Sequence, residues 1–238
     1  MALNLKLEMT MKLFGPLALA ACFATGSAYA ATVEFDTNNG LALSHGSFVG
    51  DGAFDFGSGI TGTITTTGGL GTAQVYDTGN SGGLDTDLES PQNSSGDTYD
   101  GGNALMIATG TSTETNPNDH GGGGTIVFAF QQDVIFSGIT LIDGENNQQI
   151  SVTTNLGTLP PPLDIPVVQG DDMFDVYVLN PSVTVNTITV NFGGSGALDR
   201  LVLENPNFQA IPVPAGLPLL VSGIGVFGLL RSRRKRST

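Results

Sequence analysis

The fold that this 238-residue sequence predicts is all-β: a jelly-roll or β-sandwich ectodomain, preceded by a signal peptide and followed by a transmembrane helix. Three observations predict the β domain. Runs such as Ile60-Thr61-Gly62-Thr63-Ile64-Thr65-Thr66 alternate with period two, which puts apolar side chains on one face of a strand. No stretch between Ala31 and Ala210 keeps apolar residues at i, i+3, i+4 and i+7 for three turns, so nothing there reads as an amphipathic helix. Gly, Asn, Asp and Pro punctuate the runs, as turns between strands require.

In chain order, the first element is a secretory signal over 1–30. Met11-Lys12 opens an apolar run from Leu13 to Phe23, and Ala28-Tyr29-Ala30 before Ala31 is an A-x-A cleavage site for signal peptidase. Met11 is an alternative true start. Leu19-Ala20-Ala21-Cys22 resembles a bacterial lipobox, which would make Cys22 a lipidated N-terminus instead. Cys22 is the only cysteine, so after cleavage at Ala30 the mature chain has no thiol or disulfide chemistry.

The ectodomain follows over 31–210, and its 180 residues are enough for one domain with a sizeable core. Besides Ile60–Thr66, strands are expected over Thr125–Phe130, Val134–Ile142, Ile150–Thr154, Phe174–Leu179, Val185–Phe192 and Leu198–Leu203. About ten to twelve short strands in all would make a sandwich or jelly roll. Gly121 to Gly124, four glycines running into a strand, lack the following helix and Lys of a phosphate loop and read as a flexible turn.

The last segment, 211–238, holds Val213 to Leu230 without a charge, about 27 Å if fully helical at roughly 1.5 Å per residue. That matches a hydrocarbon core of about 30 Å, so a transmembrane helix is expected over about 214–230. The basic tail, Arg231, Arg233, Arg234, Lys235 and Arg236, would hold the C-terminus in the cytoplasm by the positive-inside rule.

Setting both ends aside exposes the charge of the middle. Ala31 to Ala210 holds one basic residue, Arg200, against twenty-one acids (all twenty-two of the chain but Glu8), a formal charge of −20 that the whole-chain −14 conceals. Phosphate binding depends on basic clusters, so nucleic acid is excluded as a partner. Such a surface keeps the chain soluble and attracts cations. The long link from Asp77 to Asn103 carries Asp85, Asp87 and Glu89 at every second position, with Asp97 and Asp100 beyond. Alternating acids in a Gly-rich loop can aim several oxygens at a hard cation, making Asp85 and Asp87 candidate Ca²⁺ ligands. Ser90 stands where an EF-hand needs Gly and the closing Glu is missing, so this is no EF-hand. A solvated acidic loop is the plain alternative.

Catalysis finds little support. His45 and His120 are the only histidines, no G-x-S-x-G elbow occurs, and the His and Cys ligands of a Zn site are lacking. A pair of carboxylates can cleave a glycoside, but the absence of Trp argues against the sugar platform that such hydrolases favour.

Ile211-Pro212-Val213-Pro214-Ala215, the apolar run and the basic tail together resemble the C-terminal sorting signal of PEP-CTERM proteins, in the variant whose motif reads Val-Pro-Leu-Pro-Ala. Pro212, Val213, Pro214 and Ala215 are the residues that carry the motif here. The resemblance implies recognition by an exosortase at the inner membrane of a Gram-negative bacterium. It further implies cleavage near the motif and transfer to the cell surface or extracellular matrix. It covers about one ninth of the chain and gives an address alone.

Gly194-Ser195-Gly196-Ala197-Leu198-Asp199, Gly124 to Phe130 and Leu141-Ile142-Asp143-Gly144-Glu145 resemble, at the level of pattern, galactose-binding-like jelly rolls. Such domains often hold a structural Ca²⁺ where first and last strands meet. That resemblance implies Glu34, Asp36 and Asp199 as ligands, with Asp143 and Glu145 as outsiders.

The expectation is an exported, non-catalytic surface or matrix protein sorted by an exosortase, with its β domain a Ca²⁺-dependent module for exopolysaccharide. A matrix filler without a specific ligand, and a glycan-active enzyme, are the alternatives.

Overall fold

The computed structural model describes residues 31–38, 40–79, 84–99, 101–144, 150–158 and 173–207. The signal peptide, sorting motif, apolar run and basic tail lie outside the described residues, as do Asp100 and Glu145. Among the described residues no helix is long and apolar enough to cross a membrane.

The described chain is all-β. Its strands are β1 (Ala31–Glu34), β2 (Thr37–Asn38), β3 (Leu41–Ala42), β4 (Phe48–Val49), β5 (Gly52–Asp55), β6 (Thr61–Thr67) and β7 (Ala73–Asp77). They continue with β8 (Asn103–Ile107), β9 (Gly124–Ile142), β10 (Ile150–Thr154), β11 (Gly157–Thr158), β12 (Phe174–Phe192) and β13 (Ala197–Glu204). All pairings between these strands are antiparallel, and eleven of them form one sheet, with β2 and β3 a separate ribbon.

Two strands run 19 residues, where the sequence suggests a pair of short strands for each. The polar triplet Gln131-Gln132-Asp133 reads as a break, yet it lies inside β9, where β9 changes neighbour. Before it, Thr125 to Phe130 pair with β6; after it, Ile135 to Ile142 pair with β13. The polar residues occupy the stretch that neither neighbour covers. β12 follows β9 on its other side, with register shifts between Val185 and Thr187, opposite the polar triplet, and between Val178 and Val183, a stretch that spans Pro181. Proline has no N–H to give the ladder, so an irregularity there is expected.

The two halves of these long strands enclose one core. Phe35, just past β1, stands 6.3 Å from Phe54 of β5 and from Phe128 in the first half of β9. Phe56 lies edge-on to Phe130 at 5.1 Å. Gly123 and Gly124 are more than a flexible turn: Gly123 has φ +69°, and a Cβ there would sit 2.2 Å from the Phe192 carbonyl oxygen. Only glycine allows that approach of β9 to the end of β12.

A second, smaller core lies on the other face of the sheet. Ala104 and Met106 of β8 point into it while Leu105 and Ile107 point into the main core, so β8 is buried on both faces. Tyr76, Ile142, Phe174 and Ala197 join it, and the segment 84–99 covers it with Leu88, which is fully buried, and Tyr99. Among the described residues of the acidic link, Asp85, Leu88 and Pro91 are buried, while Leu84, Thr86, Ser90, Gln92 and 94–98 stay exposed. Its backbone bridges Gln92 to both Thr98 and Met173.

Leu88→Ala should cost about 2–5 kcal/mol of unfolding free energy in urea, the cost of emptying a core site. Leu84→Ala, at a residue 58% exposed, should stay within about 0.5 kcal/mol. Equal effects would mean that the segment is not docked.

Candidate functional site

The domain's first and last strands meet. β1 pairs with β13 in the register Ala31↔Leu203 to Glu34↔Arg200. Opposite charges in facing positions bring the Arg200 guanidinium 3.0 Å from Glu34. On the other side of β13, Leu198 pairs with Leu141 and Arg200 with Thr140, so Asp199 is the extra residue of a β-bulge. The bulge turns its carboxylate inward, where it has no solvent exposure. Tyr99 donates its hydroxyl to Asp199 Oδ2 at 2.5 Å, and Arg200 Nε stands 3.8 Å from the same oxygen. Among the described residues, Asp199 Oδ1 has no hydrogen-bond partner.

Burial raises the Asp199 carboxyl to about 6 from its ordinary 3.8. The Tyr99 hydrogen bond and Arg200 oppose the rise, while the charges of Glu34 and Asp36 add to it. So Glu34, Asp36 and Asp199 do share one neighbourhood, but Glu34 and Asp36 each commit an oxygen to a separate partner. Glu34 serves Arg200, and Asp36 Oδ1 accepts a hydrogen bond from Asn103 Nδ2 at 3.0 Å.

Asp85 and Asp87 lie elsewhere. Asp85 is buried, and its Oδ2 accepts the backbone N–H of Asp119 at 2.9 Å. The Tyr76 hydroxyl donates to the Asp85 carbonyl oxygen. Asp119 and Ser195, which no motif in the sequence singles out as site residues, complete a buried network with Asp143. Ser195 Oγ reaches Asp119 Oδ2 and stands 3.0 Å from Asp143 Oδ2; Gly196 N–H donates to Asp119 Oδ2 at 2.6 Å. A hydroxyl has one proton to give, so both contacts are favourable when a carboxyl holds a proton. Burial raises Asp119 in that direction, against the Ser195 and Gly196 hydrogen bonds and the nearby His120. Asp143 adopts φ +53°, a left-handed conformation that aspartate tolerates better than most residues. No sequence pattern announces this grouping, because its members come from the ends of β9 and β13 and from two separate links.

The histidines do not join these carboxylates in a triad. His45 Nδ1 accepts the Asp77 N–H at 3.2 Å, and its ring lies edge-on to Tyr76 at 4.9 Å. Burial lowers its pKa. Among the described residues, no group of three His, Cys, Asp or Glu side chains is arranged to hold a metal ion. As they stand, the oxygens of Glu34, Asp36 and Asp199 do not converge on one point, so a Ca²⁺ among them would require Asp36 or Glu34 to exchange its partner.

No protein-family model matches the chain, and no curated protein sequence matches it.

The raised carboxyl fixes a pH dependence. The folded state holds a proton on Asp199 more readily than the unfolded chain, so its contribution is full below pH 3.8 and lost as pH rises through about 6. Raising a carboxyl from 3.8 to about 6 is worth on the order of 3 kcal/mol between the two ends of that window. In EGTA, thermal unfolding should therefore give a higher melting temperature at pH 5 than at pH 7.5. Asp199→Asn should reduce that difference, leaving the share of the other raised carboxyls such as Asp119; an unchanged profile would remove Asp199 as a source.

Proposed function

We propose that the chain is an exported, non-catalytic surface or extracellular-matrix protein, sorted by an exosortase, whose jelly-roll or β-sandwich domain binds polysaccharide with Ca²⁺ as its stabilising cation. The observation that carries the address is the three-part order of the C-terminus: the Pro212-Val213-Pro214-Ala215 motif, the apolar run and the five basic residues. The A-x-A site before Ala31 supplies the matching export signal.

The register of β1 supports the same reading. Ala31 lies opposite Leu203, so both ends of the domain leave from one end of one strand pair. Ile142, at the far end of β9, is six residues from Phe136, which pairs with Leu203; at about 3.3 Å per residue that is about 20 Å away. The two ends of the domain therefore lie together, about 20 Å from the far end of β9.

Calcium enters through charge. A domain at −20 is destabilised by self-repulsion, and a cation that binds only the folded form relieves it. Glu34, Asp36 and Asp199 at the strand ends, or Asp85 and Asp87 in the link, are the residues that would hold it.

Two measurements test the reading. Mass spectrometry of the surface-delivered form should find a chain that begins at Ala31 and ends near Pro214 or Ala215. Recovery of Leu217 to Thr238 intact in that form would leave a simple membrane anchor in place of sorting. For calcium, free Ca²⁺ at 100 times its dissociation constant should stabilise by about 2.7 kcal/mol, raising the melting temperature by roughly 6–10 °C. Extracellular sites bind at roughly 10⁻⁴ to 10⁻³ M, so the titration extends to tens of millimolar. If Mg²⁺ at equal ionic strength does the same, only screening is at work.

A further inference from the structure

The segment that covers the second core also forms a groove. It has a volume of about 660 Å³, within the range of small-molecule sites. Its lining residues include Thr86, Ser90 and Ser94, which carry hydroxyls, Gln92, which carries an amide, Glu89, the one acid, and the apolar Met173. We infer that this groove binds an uncharged saccharide segment, and that it is the glycan site of the domain. This rests on the reading of the domain as a polysaccharide-binding module.

The chemistry of the walls selects the ligand. Hydroxyls and a primary amide each donate and accept, which suits the paired hydroxyls of a sugar ring. The side chains of Thr86, Ser90, Gln92 and Ser94 make no hydrogen bond to any described residue, so a ligand would displace only solvent from them. No lysine or arginine lines the groove, and Arg200, the one base of the domain, is engaged by Glu34. With nothing to offset carboxylate or sulfate groups, and a domain charge of −20 opposing their approach, an acidic polymer is excluded.

The walls are also fixed in advance. Gln92 carbonyl oxygen accepts the Phe174 N–H at 3.0 Å, and Pro91 carbonyl oxygen accepts the Tyr99 N–H at 2.7 Å. Tyr99 stacks on Phe174 with ring centroids 4.4 Å apart. Asn93 Oδ1 accepts the N–H groups of Ser95 and Asp97, both at 2.9 Å, closing the turn at the groove's far rim. Ser90 is held at φ +51°, its N–H donating to the Thr78 carbonyl oxygen at 2.9 Å. A loop already ordered loses little freedom when a ligand arrives, and that is what converts modest hydrogen bonds into measurable affinity. Met173 adjoins Phe174, which pairs with Ile142, so the groove lies at the end of the sheet away from Ala31 and Glu204.

The test uses the full chain in a zwitterionic, sugar-free detergent, titrated calorimetrically with maltohexaose, cellohexaose and mannohexaose, and with hexagalacturonate as the acidic probe. At least one neutral hexasaccharide should bind, and hexagalacturonate should not. Gln92→Ala with Ser94→Ala, both at exposed positions, should weaken that binding at least tenfold without moving the melting temperature. Binding of a neutral probe that survives the double substitution overturns the groove and leaves glycan binding to another surface. Binding of hexagalacturonate alone, or of none of the four, overturns both the groove and the polysaccharide reading. The sorting reading stands or falls separately, on the termini of the surface form.

Discussion

The constraint on which the structure depends is a shortage of positive charge. Twenty-one acids share a domain with one arginine, and that arginine is taken by Glu34 at 3.0 Å. Burying a bare carboxylate costs several kcal/mol even after relaxation. The fold nonetheless buries Asp85, Asp119, Asp143 and Asp199. It does so chiefly with neutral donors, the hydroxyls of Tyr99 and Ser195 and the backbone N–H groups of Asp119 and Gly196, while Arg200 Nε, 3.8 Å from Asp199 Oδ2, adds a longer ionic contact. Such donors stabilise a carboxylate less than an ion pair would, so Asp119 and Asp199 are both raised by burial. The same shortage explains why a proton on Asp199 should steady the domain.

These hydrogen bonds also shape the outer surface. Tyr76 and Tyr99 reach the segment 84–99 from opposite directions. Tyr76 donates from β7 to the Asp85 carbonyl oxygen, whereas Tyr99 belongs to the segment and reaches back to Asp199 in β13. Between them, Leu88 fills the second core. The segment is thus held by a polar contact at each end and an apolar one in the middle, and the groove is the space left between its backbone and Met173. Packing, electrostatics and the candidate binding surface have one cause.

Much of the β domain could be read from period two. Ile60 to Thr66 becomes β6 with its buried positions alternating, and Leu198 to Leu203 falls within β13. The strands over 73–77 and 103–107 gave no such signal, because Ala73 to Tyr76 and Ala104 to Ile107 are buried on both faces and do not alternate. Turn residues misled at Gln131-Gln132-Asp133 and at Pro181, where long strands change neighbour or register without ending. Of the site, the approach of Glu34 and Asp36 to Asp199 was legible once the first and last strands were paired. Asp119 and Ser195 were not, since nothing local links residues 76 positions apart, and their partnership exists only after β9, β12 and β13 are in register.

The most direct test of the neutral-donor account is a double-mutant cycle between Tyr99 and Asp199, with urea unfolding at pH 7.5 in EGTA. The account predicts that Tyr99→Phe and Asp199→Ala are coupled by at least about 1 kcal/mol, since the first removes the donor and the second the acceptor of the same buried hydrogen bond. Effects that add to within about 0.5 kcal/mol would contradict it. The Asp199 carboxylate would then owe its place in the fold to something other than the tyrosine hydroxyl.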